Sequence, residues 1–248
     1  MSDETTAVLV HGVGLDRHMW TSFAAALARP TRTYDLIGLG HGPHPPGPYS
    51  LTIYARQLAD VAAGEVVDVV GFSMGALVAQ RFALDHPTQV RRLVLVSSVF
   101  ARSPSERAAI VARVAEVRNG GHLATVEPAL RRWFTAGFAE RHPDVVEVVR
   151  QRLLANDVDA YAYAYEVFAC GDAELAPLVR EIAVPTLIVN GELDERSTPD
   201  MARRQTAAMG NARCVIMPGL RHLIPMEAPT ALAAAVSPFL NDEGSGDG

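Results

Sequence analysis

The sequence predicts an α/β protein: a mostly parallel, doubly wound sheet of about six strands, with a block of helices inserted late in the chain. Three observations carry this. Short apolar runs alternate with helix-length amphipathic segments, a pattern that suits strands buried on both faces and joined by helical crossovers. The connection from Ser98 to Ala183 is far longer than the roughly dozen residues a crossover needs. With 248 residues and 49% hydrophobic content, the chain is long enough for one large core, which sets disordered and fibrous classes aside.

In chain order the strands are "AVLV" at 7–10, "RTYDL" at 32–36, "VVDVVG" at 66–71, "RLVLVS" at 92–97, "PTLIVN" at 185–190 and "ARCVIM" at 212–217. Helical spacing fills about 17–28, 51–63, 74–86, 199–209 and 227–240, with Pro87, Pro199 and Pro229 near their ends. Residues 101–180, where arginines and acids interleave with Val, Ala and Leu, read as a helical cap or lid. Residues 1–100 and 181–240 then form the core, and the tail 241–248, "NDEGSGDG", reads as a disordered end.

A formal net charge of −6 opposes binding to phosphate backbones and anionic membranes. The opening "MSDETTAVLV" lacks the basic, apolar and small-residue succession of a leader. No apolar run approaches membrane-spanning length. Cys170 and Cys214 lie far apart without a CxxC partner, which disfavours a disulfide framework or thiolate metal site and favours a reducing cytoplasm. No motif for a metal or organic cofactor occurs, so none is expected.

Gly71-Phe72-Ser73-Met74-Gly75 matches G-x-S-x-G. Alone the pattern is weak; its setting strengthens it. Val66 to Val70 are strand-like, and Ala76, Leu77, Ala79, Phe82 and Ala83 recur at helical spacing. Strand, sharp turn and helix make the context of a nucleophile elbow, in which a strained serine leaves room only for glycine two residues to either side. The turn would present the Ser73 hydroxyl at the positive end of a helix.

With this elbow the chain resembles the α/β-hydrolase superfamily over nearly its whole length. "HGVGLDRHMW", "GFSMGALVAQ", "RRWFT" and "NGELDERSTP" are similar to the branch that contains 3-oxoadipate enol-lactonases and other small-ester hydrolases. The resemblance implies a Ser, acid, His order along the chain. It points to Asp194 as the acid, by its offset from Gly191 and by Pro199, with Glu192 and Glu195 as competitors. It points to His222, between the last strand and a helix beginning near Glu227, as the base. His86, His142, His41 and His44 are weaker rivals, His18 and His122 read as surface or loop residues, and His11 reads as a structural hydrogen-bonding residue. The oxyanion would take backbone N–H groups from Met74, after the nucleophile, and from Val13 in the "HGVG" turn.

Neighbours on a helix point about 100° apart, so only one of Arg131 and Arg132 should face inward, and Arg132 is the choice. An inward arginine beside Trp133 suits a small carboxylated substrate through a bidentate pair. Tyr161 and Tyr165 share a helix face, which fits lid core more often than a binding surface; Tyr161 and Trp20 complete the substrate-binding candidates.

The chain also departs from the family. The hairpin that usually precedes the first core strand is missing, which puts an eight-stranded sheet in doubt and leaves "RTYDL" as the edge. In "DLIGLGHGPHPP", Leu39 and Gly42 replace the usual His and Ser of the D-x-x-G-x-G-x-S turn. Phe72 and Ala76 differ from the G-N-S-x-G-G of C–C hydrolases. The reading is a serine hydrolase of a small ester or enol-lactone acting through an acyl-enzyme, a monomer or homodimer whose partner is a small molecule. The alternatives are C–C or amide hydrolysis of a ring-cleavage product, and a non-catalytic ligand receptor on the same fold.

Overall fold

The computed structural model describes residues 4–118 and 122–242, the side chains of residues 122 and 123 excepted. Six strands, β1 (Ala7–Val10), β2 (Thr31–Thr33), β3 (Val67–Phe72), β4 (Val90–Val96), β5 (Thr186–Gly191) and β6 (Ala212–Met217), form one sheet in the order β2-β1-β3-β4-β5-β6. Every pairing is parallel. β1, β3 and β5 are buried along their full length, which is why their sequences run apolar without alternation. The pleat still sorts them: Val8 and Val10 join one apolar cluster, and Ala7 and Leu9 join the other on the opposite face. Each such side chain is worth roughly 1.5–3 kcal/mol on burial.

The first face is covered by α2 (Leu51–Ala62), α3 (Met74–Asp85) and α9 (Pro199–Ala208), with Leu58, Leu77 and Met201 in its cluster. The second is covered by α1 (Thr21–Leu27) and α11 (Pro229–Asn241), which bring Phe23, Leu232 and Phe239. α2 starts where the Ser50 side chain accepts the Ile53 N–H, and it ends with Ala63 in the left-handed region.

From β1 the chain winds outward to β2, then returns past β1 to β3. The strand order therefore reverses between β1 and β3, and the crevice beyond their carboxyl ends is where open sheets of this kind bind ligands. The register is consistent with that rim: Val10 pairs with Gly71, Phe72 with Val96, and Val96 with Val189.

Two boundaries differ from the sequence expectation. The edge strand stops at Thr33 because the chain turns at Asp35, whose buried carboxylate accepts the N–H groups of Arg17 at 2.7 Å and His41 at 2.9 Å. The helix expected from Glu227 is split: a single turn, α10 (Ile224–Glu227), precedes Pro229, the first residue of α11. Most of the tail expected to be disordered lies outside the described residues.

Among the described residues, five α-helices stand between β4 and β5: α4 (Pro104–Glu116), α5 (His122–Trp133), α6 (Ala136–Arg141), α7 (Pro143–Leu154) and α8 (Val158–Leu175). Polar caps start several of them. Ser103 and Glu106 form a reciprocal capping box for α4, Thr135 caps α6 and Asp157 caps α8. α8 lies on the core, and a Cβ added at Gly171 would stand 3.1 Å from Leu51 and 3.2 Å from Leu77. At the point where the chain leaves β4, Arg102 donates from both its backbone N–H and its guanidinium to Asp172 of α8, at 2.8 and 2.9 Å. The guanidinium also lies 4.5 Å over the Phe168 ring. Among the described residues, no helix is long and apolar enough to cross a membrane.

The side chains of Arg102 and Asp172 are 5% and 0% exposed, so removing one strands a charge in the interior. Asp172→Ala should cost about 3–5 kcal/mol, measured as a lower urea midpoint; an unchanged midpoint would show that the pair does not anchor the helical insertion.

Candidate active site

Ser73 sits between the last residue of β3 and the first of α3, at φ 53° and ψ −112°. For a residue with a Cβ this region costs on the order of 1–3 kcal/mol and persists only where its surroundings enforce it. Here its N–H donates to Val96 O at 2.9 Å and its carbonyl accepts the Ala76 N–H at 3.0 Å. The flanking glycines are required by contact: a Cβ at Gly71 would meet Gly75 O at 2.3 Å, and one at Gly75 would meet Val10 O at 2.2 Å. A Cβ at Gly12 would stand 3.3 Å from that of Ser73, so the turn after β1 lies directly against the serine.

Asp194 lies in the turn after β5, and His222 in the loop after β6. The His222 ring Nδ1 and Asp194 Oδ2 are 2.6 Å apart, with both residues buried. An ionised carboxylate only accepts, so Nδ1–H donates and Nε2 is left facing away from the acid. The other carboxylate oxygen, Oδ1, accepts the Arg196 and Ser197 N–H groups, each at 3.0 Å. The two competitors have other partners: Glu192 accepts the Gly219 N–H at 2.8 Å, and Glu195, which also lines the cavity beside Ser73, pairs with Arg221 at 3.0 Å, both at exposed positions.

The two loops are fastened together. Glu192 N–H donates to Met217 O and Leu193 N–H to Leu220 O, and a Cβ at Gly191 would lie 2.2 Å from Arg221 O. Ser97 Oγ donates to the His222 carbonyl at 2.8 Å. The imidazole packs between Phe72 and Trp133, at ring centroid distances of 5.0 and 6.0 Å.

Met74 is the first residue of α3, so its N–H is one of the donors a helix cannot use internally. Val13 lines the cavity beside Ser73, and its N–H has no partner among the described residues. His11 braces the same turn: Nε2 accepts the Leu36 N–H at 2.9 Å, and Nδ1–H donates to Gly12 O at 2.8 Å. Burial lowers its pKa and keeps it neutral, as both bonds require.

Ser73, Asp194 and His222 all line one cavity of about 110 Å³, of the order of a site that takes up a single benzene-sized molecule. Its outer wall is the helical insertion. Arg132 and Trp133 of α5 and Tyr161 of α8 line it, and so does Tyr165, stacked on Tyr161 at 5.7 Å. Arg131, one position away, is exposed and does not. Trp20 is a correction: it is fully buried in the second core cluster, 5.4 Å from the Phe23 ring, and has no part in the cavity wall. The aromatic closing the "HGVGLDRHMW" segment serves the α1 face of the sheet. His18, His41, His44, His86 and His142 also stand away from the cavity, and the side chain of His122 lies outside the described residues.

Several contributors escaped the sequence. Arg113 of α4 and Arg196 line the cavity with Arg132. None of these three guanidiniums has a carboxylate within 4.0 Å among the described residues. Burial is the largest cause lowering the Arg132 pKa, followed by Arg113 and Arg196. Nothing in "VSSVF" separates Ser97 from its neighbours, because its role depends on a contact 125 residues away.

The sequence profile of the alpha/beta hydrolase family matches residues 7–235. The chain is 28% identical to the (E)-2-((N-methylformamido)methylene)succinate hydrolase of Acinetobacter baylyi over 94% of its own length and 89% of the relative's. It superposes on an enol-lactonase from Burkholderia xenovorans LB400 with a TM-score of 0.87 and 30% identity, covering 96% and 92% of the two chains. A malate-bound esterase from Thermogutta terrifontis gives 0.85 and 27%, covering 95% and 89%.

The backbone contacts of Gly75 generate a test. Gly75→Ala should lose roughly 1–3 kcal/mol or more to overpacking, read from urea unfolding. Gly210→Ala, where an added Cβ meets nothing within 4 Å, should not lower the midpoint; equal losses would refute the steric account.

Proposed function

Since the chain belongs to the alpha/beta hydrolase family, we propose that it hydrolyses a small carboxylated ester or enol-lactone through an acyl-enzyme on Ser73. The observation that carries this reading is the buried Asp194–His222 hydrogen bond on the wall of the cavity that Ser73 lines. A serine hydroxyl is a poor nucleophile until a base takes its proton. With Nδ1–H held by Asp194, His222 Nε2 is the nitrogen free to accept it.

In the mechanism that follows, Ser73 Oγ attacks the carbonyl carbon as its proton passes to Nε2. The Val13 and Met74 N–H groups receive the negative charge on the carbonyl oxygen. The imidazolium, balanced by Asp194, returns the proton to the leaving oxygen as that C–O bond breaks. Water then adds to the acyl carbon with His222 as base, and Ser73 leaves with its proton restored.

The carboxylated class is supported by the three cavity arginines, none of which has a carboxylate within 4.0 Å among the described residues. A guanidinium stays protonated; burial, Arg113 and Arg196 lower the Arg132 pKa, with Tyr165 and Glu195 acting the other way, and a substrate carboxylate beside the three arginines would complement their charge. The relatives agree in kind, one being a hydrolase of a succinate derivative and another an enol-lactonase, with malate bound to the esterase. Amide hydrolysis by the same residues is the second reading, favoured by the formamido relative. Either way the partner is a small molecule rather than nucleic acid or membrane, met in the cytoplasm by a monomer or homodimer.

Ser73→Ala should lower kcat on a chromogenic short-chain ester by at least about 10³-fold, and undiminished turnover would rule the mechanism out. Arg132→Leu should raise KM for a carboxylated ester about 10- to 100-fold, the value of a charge-assisted bond, while barely changing KM for its neutral counterpart. Equal changes in both would remove the carboxylate from the substrate class.

A further inference from the structure

Glu227 lies outside the cavity wall, yet its carboxylate is spent on the helical insertion. It accepts hydrogen bonds from the Thr135 N–H, at 3.1 Å, and from the Thr135 hydroxyl. Thr135 is two residues beyond Trp133 and caps α6 through the same hydroxyl. On the other side of α10, Leu223 N–H donates to the Trp133 carbonyl at 3.0 Å. The single turn of α10 closes the loop between them, with Glu227 N–H on Leu223 O at 3.0 Å. The residue after His222 and the residue ending α10 are thus both bonded to the short stretch that carries Arg132 and Trp133.

We infer that Glu227, through Thr135, is a positioning residue that sets the His222 imidazole against the substrate-facing end of α5. The geometry behind this is a two-point tie. Leu223 fixes the backbone next to the imidazole, and Trp133 stands 6.0 Å from its ring. The Leu223–Trp133 bond is one point of that tie, and the Glu227–Thr135 bonds are the second, without which the stretch beyond Trp133 is free to swing about the first. A buried core position would need an apolar residue here; a carboxylate taking both donors of one threonine specifies a single register between two segments about 90 residues apart. The inference rests on His222 being the base.

The test uses the full chain, a chromogenic short-chain ester and a fluorophosphonate that labels the activated serine. Thr135→Val keeps the backbone donor and loses the hydroxyl; Glu227→Gln keeps an oxygen acceptor and loses the charge; Thr135→Ser keeps both donors. Thr135→Val and Glu227→Gln should each lower kcat and the labelling rate about 10- to 100-fold, the scale of a misplacement near 1 Å, with KM changed by less than about twofold. Thr135→Ser should restore the parent rates, and the double variant should lose no more than the worse single one. Assays are run below the melting transition of every variant, so lost stability alone would leave kcat in place. Unchanged kcat and labelling in Thr135→Val, an equal loss in Thr135→Ser, or a loss confined to KM would each overturn the positioning role. His222→Ala separates the two levels. If it labels as fast as the parent, the base assignment falls and the positioning role with it; if it abolishes labelling while Thr135→Val labels normally, only the positioning role falls.

Discussion

The site depends on one buried hydrogen bond, from His222 Nδ1 to Asp194 Oδ2 at 2.6 Å. A carboxylate in an interior must have its lone pairs satisfied or it costs several kcal/mol. Asp194 meets that demand with two backbone N–H groups on one oxygen and the imidazole on the other. The acid therefore cannot turn away from the histidine without stranding a charge. The tautomer that leaves Nε2 available is fixed by the same bond.

That bond forms only because the loops after β5 and β6 touch, and they touch because neighbouring strands end at one level. Gly191 pairs with Met217, and bare backbone at Gly191 admits the Arg221 carbonyl. Between β1 and β3 the same device recurs, with Gly75 admitting the carbonyl of Val10. Strain at Ser73 is the counterpart. Helix α3 packs Leu77 and Phe82 into the first core cluster, and burial of that size readily outweighs a few kcal/mol of backbone distortion. The apolar faces thus hold the hydroxyl where an unconstrained turn would not leave it.

Much of this was legible beforehand, for identifiable reasons. Fully buried parallel strands announce themselves as short apolar runs, so all six appear near their observed positions. Gly71 and Gly75 are visible because backbone contact tolerates no substitute. Periodicity says that Arg131 and Arg132 cannot share a face, and only the fold shows that Arg132 is the one on the cavity wall. Sequence fails where a role is set by a partner far along the chain. Trp20 looks like a site aromatic from its motif, but its surroundings are Phe23 and the α11 face. Arg113, Arg196, Ser97 and Glu227 are ordinary surface-type residues until the fold gives them neighbours. The end of β2 was missed because Asp35 turns the chain by accepting two N–H groups, a force with no period.

The helical insertion supplies an outer wall bearing cations, and its contacts with the core include the Arg102–Asp172 pair, the packing of α8, the Leu223–Trp133 bond and the Thr135–Glu227 bonds. In the proposed mechanism, selectivity and chemistry are set by separate parts of the chain that share one cavity. The residue that becomes acylated is the quantity on which the mechanism turns. Acid-quenching the enzyme in its first turnover with a carboxylated chromogenic ester, followed by peptide mass mapping, should find one acyl group, on the peptide carrying Ser73. Rapid turnover with no acyl adduct, or an adduct on any other side chain, would contradict nucleophilic attack by this serine.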